Sequence, residues 1–251
     1  MASEKTWAIV LRVIEFSESS CVVTLFTEDF GKVGALAKGA RRPKSAFEGA
    51  IDLLALIRIV FLRKSSDALD LLTEGKLERR FRSAERDLAR LYAGYYVAEL
   101  LAELTDAGDP HRELFAAADE TLLALDGQAP LAETVLRFEL AALRLLGHLP
   151  SLSQCVACGT DVESAGRVAF GMTAGGVLCA TCRPGRRQVV SVSGPVIGAL
   201  RQAAEGTEQP DQALVVEPKL RGELRAIMNN YFAHLVGHKL RMPEHLGALA
   251  H

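Results

Sequence analysis

Four of the chain's five cysteines fall into two pairs, Cys155-Val156-Ala157-Cys158 and Cys179-Ala180-Thr181-Cys182, with 20 residues between the pairs. Two residues between cysteines let both sulfurs turn back onto one ion, and two such knuckles complete a closed tetrahedron around zinc. Between them, Arg167-Val168-Ala169-Phe170, the Gly175-Gly176 pair and Val177-Leu178 read as strand, glycine turn, strand. A zinc ribbon needs that hairpin to bring its second knuckle beside the first. Two disulfides, or four cysteines that merely pack, are the competing readings, and paired C-x2-C spacing serves neither well. Four thiolates leave no open position for water, so Cys155, Cys158, Cys179 and Cys182 point to one structural Zn2+ and not to zinc catalysis. Cys21 has no second knuckle and sits in an apolar run, so it reads as a small core residue.

The second stretch with chemistry is Gly39-Ala40-Arg41-Arg42-Pro43-Lys44-Ser45-Ala46-Phe47, where glycine and proline demand a loop and three cations lie within four residues. From residue 32 to 64 there are eight basic residues (Lys32, Lys38, Arg41, Arg42, Lys44, Arg58, Arg63, Lys64) against two acidic ones, Glu48 and Asp52. A solvated surface loop is the plain reading of a basic run. The concentration of charge, in a chain of net charge −2, favours phosphate contacts and hence nucleic acid. Lys32 and Lys38 lie an even number of residues apart on one expected strand, which places them on one face. Phe47 and Phe30 could stack on bases, although a phenylalanine beside apolar strands is more often core.

After the second knuckle, Arg183, Arg186 and Arg187 either offset the negative charge of a zinc–thiolate centre or touch phosphate. His234 and His238 are spaced like a helical metal pair but lack a third ligand and the glutamate of an H-E-x-x-H site, so they read as surface histidines. The chain has no phosphate-binding G-x-x-x-x-G-K-[ST] loop, no G-x-S-x-G elbow and no G-x-G-x-x-G, so no catalytic residue is assigned. The expected role is binding and not enzymatic.

Short β-branched, alternating runs must position the basic stretch: Ile9 to Val13, Cys21 to Phe26, Lys32 to Lys38, Ile51 to Phe61 and Leu69 to Leu72. Five strands in about 80 residues fit an OB-type barrel, and an SH3-like barrel satisfies the same pattern. From residue 83 the period changes to helical, with Leu88, Leu91, Tyr92, Tyr95, Tyr96, Leu100 and Leu101 on one stripe. A second helix is expected from Asp109-Pro110 and a third after Pro130, forming a bundle or cradle whose tyrosines are core. Two more helices are expected, one from Ser193-Gly194-Pro195 to Gly206 and one from Pro218, with a fraying end beyond Pro243.

Charge separates along the chain. Lys+Arg and Asp+Glu number 14 and 11 in residues 1–82, 5 and 12 in 83–150, and 10 and 8 in 151–251. A polyanion is therefore repelled by the middle segment and must use one of the ends. Hydrophobic residues make up 49% and charged ones 24%, the balance of a folded, soluble chain. No apolar run approaches the ~20 residues of a membrane span. The N-terminus lacks a secretory signal, and thiols arranged for metal suit a reducing cytoplasm.

Three separated stretches resemble the RecO family of bacterial recombination mediators. They are Val22 to Thr27 with Phe30-Gly31-Lys32, Ala37 to Ser45, and Arg137 to Leu140 running through Leu146-Gly147 and Pro150 into Cys155 to Gly159. The resemblance covers nearly the whole length. It implies an N-terminal OB-fold, a helical domain and an inserted zinc ribbon. It also implies binding of single- and double-stranded DNA, annealing without ATP, association with RecR, contact with single-strand DNA-binding protein, and help in loading RecA. An RNA-binding OB-fold and zinc-ribbon protein of translation or RNA processing is the alternative.

The expected fold class is α+β and multidomain. Residues 1–82 form the OB-type barrel that binds DNA, 83–150 with 190–251 the helical domain, and 151–189 the zinc ribbon.

Overall fold

The computed structural model describes residues 3–47, 49–64, 68–83, 87–206 and 215–247. Glu48 and the chain end from residue 248, both named above, lie outside the described residues. The chain is α+β and divides into two compact units, Met1–Gln128 and Ala129–His251.

In the first unit, β1 (Ser3–Glu15), β2 (Cys21–Thr27), β3 (Gly31–Ala37), β4 (Leu56–Leu62) and β5 (Asp70–Arg79) form one sheet in the order β1-β2-β3-β5-β4. Strand β4 pairs antiparallel with β1, closing the sheet on itself, and β3 meets β5 in parallel. Alternation produces this closure. Cys21, Val23 and Leu25 of β2, Val33, Ala35 and Ala37 of β3, and Ile57, Ile59 and Phe61 of β4 all point inward and are buried. Burying a side chain of the Val, Leu, Ile or Phe class stabilises by roughly 1.5–3 kcal/mol. Phe47 joins this core at 4% exposure, so it is not a base-stacking platform. Cys21 also lies there, and burial pushes its thiol pKa up.

Three strands differ from their expected extents, β1 by running from Ser3 to Glu15 and so past both ends of Ile9 to Val13. The run from Ile51 becomes a strand only at Leu56. Before it, the backbone turns through Ala50 N–H to Phe47 O (2.9 Å) and Ala55 N–H to Asp52 O (3.2 Å), with Leu54 at φ 64°. Strand β5 continues to Arg79 rather than stopping at Leu72, because Glu74, Lys76 and Glu78 alternate outward and hide the apolar half of the pattern.

Helix α1 (Leu88–Leu104) is capped by Asp87, whose carboxylate accepts from Ala89 N–H (2.9 Å) and Arg90 N–H (3.3 Å). Helix α2 (Arg112–Asp126) begins after His111, beyond the expected Asp109-Pro110 start. Asp109 is occupied otherwise. Its side chain pairs with His111 Nε2 at 3.1 Å, and its backbone presses on Gly31. A Cβ on Gly31 would stand 2.1 Å from Asp109 O, and its φ is +64°, so only glycine fits.

The second unit opens with α3 (Leu131–Leu145), entered from Pro130 as expected. Strands β6 (Arg167–Gly171), β7 (Gly176–Leu178) and β8 (Val189–Ser193) form a sheet of order β7-β6-β8, one strand more than the hairpin anticipated. Helices α4 (Gly194–Gly206) and α5 (Pro218–Val236) follow, then a 3₁₀ turn at Met242–His245. Gly176, at φ +153°, lets the hairpin lie against Ser151, whose carbonyl oxygen would be 2.3 Å from any Cβ there. Between α3 and α5 the carboxylate of Glu139, wholly buried, takes both terminal nitrogens of Arg225, one at 3.0 Å. Helix α5 ends in the left-handed Gly237, so His238 falls outside the helix and does not share a helical face with His234. Among the described residues no helix is long and apolar enough to cross a membrane.

Candidate metal centre and nucleic-acid interface

Each cysteine pair sits in a tight turn fixed by its own backbone. Gly159 N–H bonds Cys155 O at 2.8 Å, while Cys182 and Arg183 N–H bond Cys179 O at 3.2 and 3.1 Å. The hairpin β6–β7 carries the second turn to the first, and the four Sγ atoms lie within 4.8 Å of one another. None of the four is in a disulfide. Cys158 Sγ and Cys179 Sγ are 3.8 Å apart. Zinc–sulfur bonds of about 2.3 Å in a tetrahedron give an edge of about 3.8 Å, so the donor set fits one such ion. Ala169, Leu178, Val162 and Val189 pack around it.

Electrostatics point the same way. Backbone N–H groups, led by that of Cys179, bring the Cys155 thiol down to about 6. Bonds from the Cys179 and Cys158 sulfurs push Cys182 up to about 12. Four sulfurs this close cannot all carry charge unaided, and a divalent cation relieves that crowding. Arg183, Arg186 and Arg187 are exposed on the turn that follows. Arg186, Arg187 and the adjoining Gln188 line a depression of about 510 Å³ with Thr173 and His234, two residues that sequence spacing could not join to them.

The basic loop in the first unit is structured. Arg42 N–H bonds Gly39 O (3.0 Å), Ser45 N–H bonds Arg42 O (3.2 Å), and Ser45 Oγ donates to Ala40 O (3.0 Å). These turns bring Lys38, Arg42 and Lys44 around one depression of about 420 Å³, walled by Leu71, Leu72 and Thr73 of β5. Arg41 turns aside to an exposed ion pair with Glu15 at 2.8 Å.

Three other expected phosphate contacts do not line the loop depression. The Arg63 guanidinium sits over the Phe30 ring at 5.7 Å, and Phe30 packs edge-on against Phe61 at 5.4 Å, so Phe30 is occupied on the barrel wall. Arg58 stacks on Trp7 at 4.5 Å. Lys64 is exposed, with its backbone N–H held by Asp70 at 2.8 Å.

Lys32 corrects the expectation for its strand. It shares the outward face with Lys38, but its ammonium donates to Ala102 O (2.5 Å) and Thr105 O (2.6 Å) at the end of α1. Helix ends leave such carbonyls without partners, and this one has no basic residue in its last turn. Lys32 therefore caps a helix.

A further depression, of about 450 Å³, was not anticipated. It is lined by Lys5, Arg58, Val60, Glu74, Gly75 and Lys76 with Ala46. Lys76 lay past the expected end of its strand, and three strands had to be registered before these residues became neighbours.

Residues 1–81 match the family described as Recombination protein O N terminal, and residues 85–243 the one described as Recombination protein O C terminal. Curated relatives named DNA repair protein RecO cover almost the whole chain. The one from Rhodopirellula baltica is 42% identical, over 95% of this chain and 97% of its own. That from Anaeromyxobacter dehalogenans is 33% identical over 99% of each. That from Myxococcus xanthus is 34% identical over 93% of each.

Proposed function

The chain belongs to the recombination protein O family, and from that premise we propose that it is a DNA repair protein that binds single- and double-stranded DNA and anneals complementary strands. The observation that carries the reading is the meeting of Lys38, Arg42 and Lys44 at one depression on the closed sheet. We read that sheet as the OB type, since β3 and β5 pair in parallel while β4 returns to β1. Its cations neutralise phosphates and leave the bases of a bound strand accessible for pairing.

Annealing follows from electrostatics. Two strands repel through their phosphates, and a protein that neutralises one of them lets the second approach. Nothing in this step consumes nucleotide, so the protein acts as a mediator and not as an enzyme. Association with RecR, contact with single-strand DNA-binding protein, and indirect help to RecA are the expected partnerships in the cytoplasm. Cys155, Cys158, Cys179 and Cys182 hold one structural zinc, and Arg183, Arg186 and Arg187 offer a second set of phosphate contacts. Residues 1–82 supply DNA binding, 151–189 the ribbon, and 83–150 with 190–251 the helical surface for protein partners.

The test is annealing of two complementary oligonucleotides, followed by fluorescence energy transfer, with and without ATP and across a salt series. The expected result is acceleration that ignores ATP and fades with salt as screening grows. No acceleration at low salt, or a strict ATP requirement in purified protein, overturns the reading.

A further inference from the structure

On the outer face of β1, β4 and β5, residues from three strands fall in register. Trp7 of β1 is the partner of Arg58 of β4, and Arg58 is the partner of Lys76 of β5. In the next rank Lys5 faces Val60, and Val60 faces Glu74. The odd positions between them, Ile57 and Ile59, point into the core, so both ranks face outward. The result is three cations and one carboxylate around one depression, beside an aromatic ring with a guanidinium 4.5 Å from its centroid.

Two features of this face call for an anion. Arg58 and Lys76 stand directly opposite one another, and like charges in such a pair destabilise a sheet. Among the described residues no carboxylate forms an ion pair with Arg58, Lys76 or Lys5 that would offset this. The face is also continuous with the loop cations. The Lys38–Arg42–Lys44 depression is walled by residues 71–73 of β5, the Lys5–Arg58–Lys76 depression by residues 74–76, and Ala46 borders both. Gly75 N–H bonds Ala46 O at 3.2 Å, fixing that border to the strand. From Leu71 to Lys76 a strand advances about 17 Å, well within the span of the roughly 4–16 nucleotides that one OB-type fold accommodates.

We propose that single-stranded DNA runs along β5 from the Lys38–Arg42–Lys44 loop onto a platform of Trp7 and Arg58, flanked by Lys5 and Lys76. The proposal rests on the DNA-binding reading above and assigns the path within it. Phosphates lie toward Lys5, Lys76 and the loop cations. A base stacks on the planar guanidinium of Arg58 or on the indole beneath it, which accepts any base because every base has a π-face.

Trp7 is the chain's one tryptophan, so its emission reports this face alone. The full-length protein is titrated with oligothymidylate while Trp7 fluorescence and the anisotropy of a labelled copy are followed together. The expected result is a change in Trp7 emission that saturates with the anisotropy. Lys76→Ala should lower the log–log salt slope by about 0.7. Arg58→Ala should weaken binding roughly fivefold or more through lost stacking. Trp7→Phe, which keeps a ring on this outer face, should bind within a few-fold of the parent.

Binding at full affinity with unchanged Trp7 emission, and with affinity and slope intact in folded Lys76→Ala and Arg58→Ala, overturns this path and leaves DNA binding standing. No binding of the oligonucleotide by folded protein overturns both.

Discussion

The Lys32 ammonium lies 2.5 Å from the carbonyl oxygen of Ala102, with the oxygen of Thr105 at 2.6 Å, and so closes the end of α1 from a neighbouring strand. A helix C-terminus is negative and favours a cation, and hydrogen bonds to a charged donor are worth more than neutral ones. Lys32→Ala should therefore cost about 1–3 kcal/mol in urea unfolding, with little change in m. The slope of DNA affinity against salt should stay as in the parent. A fall in that slope by one phosphate contact would return Lys32 to the DNA surface.

Arg41 and Arg42 are neighbours in sequence with different commitments. Arg41 is paired with Glu15, both partly exposed, while Arg42 lines the loop depression. An exposed pair of this kind contributes about 0–1 kcal/mol, so the bond to Glu15 is easily traded for a phosphate. Arg42→Ala should lower the single-strand salt slope by about 0.7, and Arg41→Ala by less. Glu15→Gln should raise affinity by releasing Arg41 and removing a negative charge. Equal losses from the two arginines, with no effect of Glu15→Gln, would show that the ion pair does not bias the loop.

The difference between Lys32 and Arg42 shows what sequence can and cannot carry. Alternation placed Lys32 and Lys38 on one face, which the structure bears out. It could not reveal that a helix 70 residues later delivers its carbonyls to one of them. The same limit hid the Trp7–Arg58–Lys76 rank, because cross-strand register depends on where turns begin and on the shifts in pairing around Leu56 and Val60. Cysteine spacing was legible because two residues between ligands is a local constraint that no distant contact changes. The late start of β4 was not: Ile51 to Ala55 is apolar enough for a strand, and only the turn at Asp52 to Ala55 interrupts it.

Among the described residues of the second unit, the Glu139–Arg225 pair is the most deeply buried ion pair, at 0% and 9% side-chain exposure. Removing one partner strands the other in a low-dielectric interior, at a cost of about 3–5 kcal/mol. Arg225→Met should produce that loss, read as faster hydrogen exchange in α3 and α5. The double variant Glu139→Leu, Arg225→Met should recover much of it, since two apolar side chains leave no unpaired charge. A double variant as unstable as the single one would mean that the pair also holds something further in place.

Glu223 titrates in a way that ties acid stability to the second sheet. Its carboxylate accepts from Ser193 Oγ and from Ser193 N–H at 3.0 Å, and pairs with Arg167 at 2.8 Å. The Ser193 hydroxyl leads the causes that hold its pKa below the ordinary carboxylate value, with Arg167 contributing less. A depressed folded pKa gives stability that is present above the unfolded carboxyl pKa, about 4.3, and lost as pH falls through the folded value. Glu223→Gln should therefore destabilise at pH 7 and by progressively less as pH falls below the unfolded carboxyl pKa of about 4.3. Partial exposure keeps the difference small. A difference that stays constant as pH falls until the parent itself unfolds would show that the charge of Glu223 is not what matters.

The cysteine centre makes the last prediction, and its logic separates folding from DNA contact. Four Sγ atoms within 4.8 Å, free of disulfides, lie where β6 and β7 offer little apolar core beyond Ala169, Leu178 and their neighbours. Metal binding at such a site supplies folding free energy, because no preformed site exists in the unfolded chain. Reduced, freshly purified protein should carry one zinc per chain by elemental analysis. Cys179→Ser should lose it and open the ribbon, read as faster hydrogen exchange confined to β6, β7 and the knuckles. Thiols must shed protons to bind, so zinc should leave more readily as pH falls. DNA binding through the first unit's loop should survive in Cys179→Ser with at most the share contributed by Arg183, Arg186 and Arg187 removed. Zinc-free protein with a fully protected ribbon would overturn the structural role of the metal. Loss of all DNA affinity with the first unit still folded would move the interface to the ribbon.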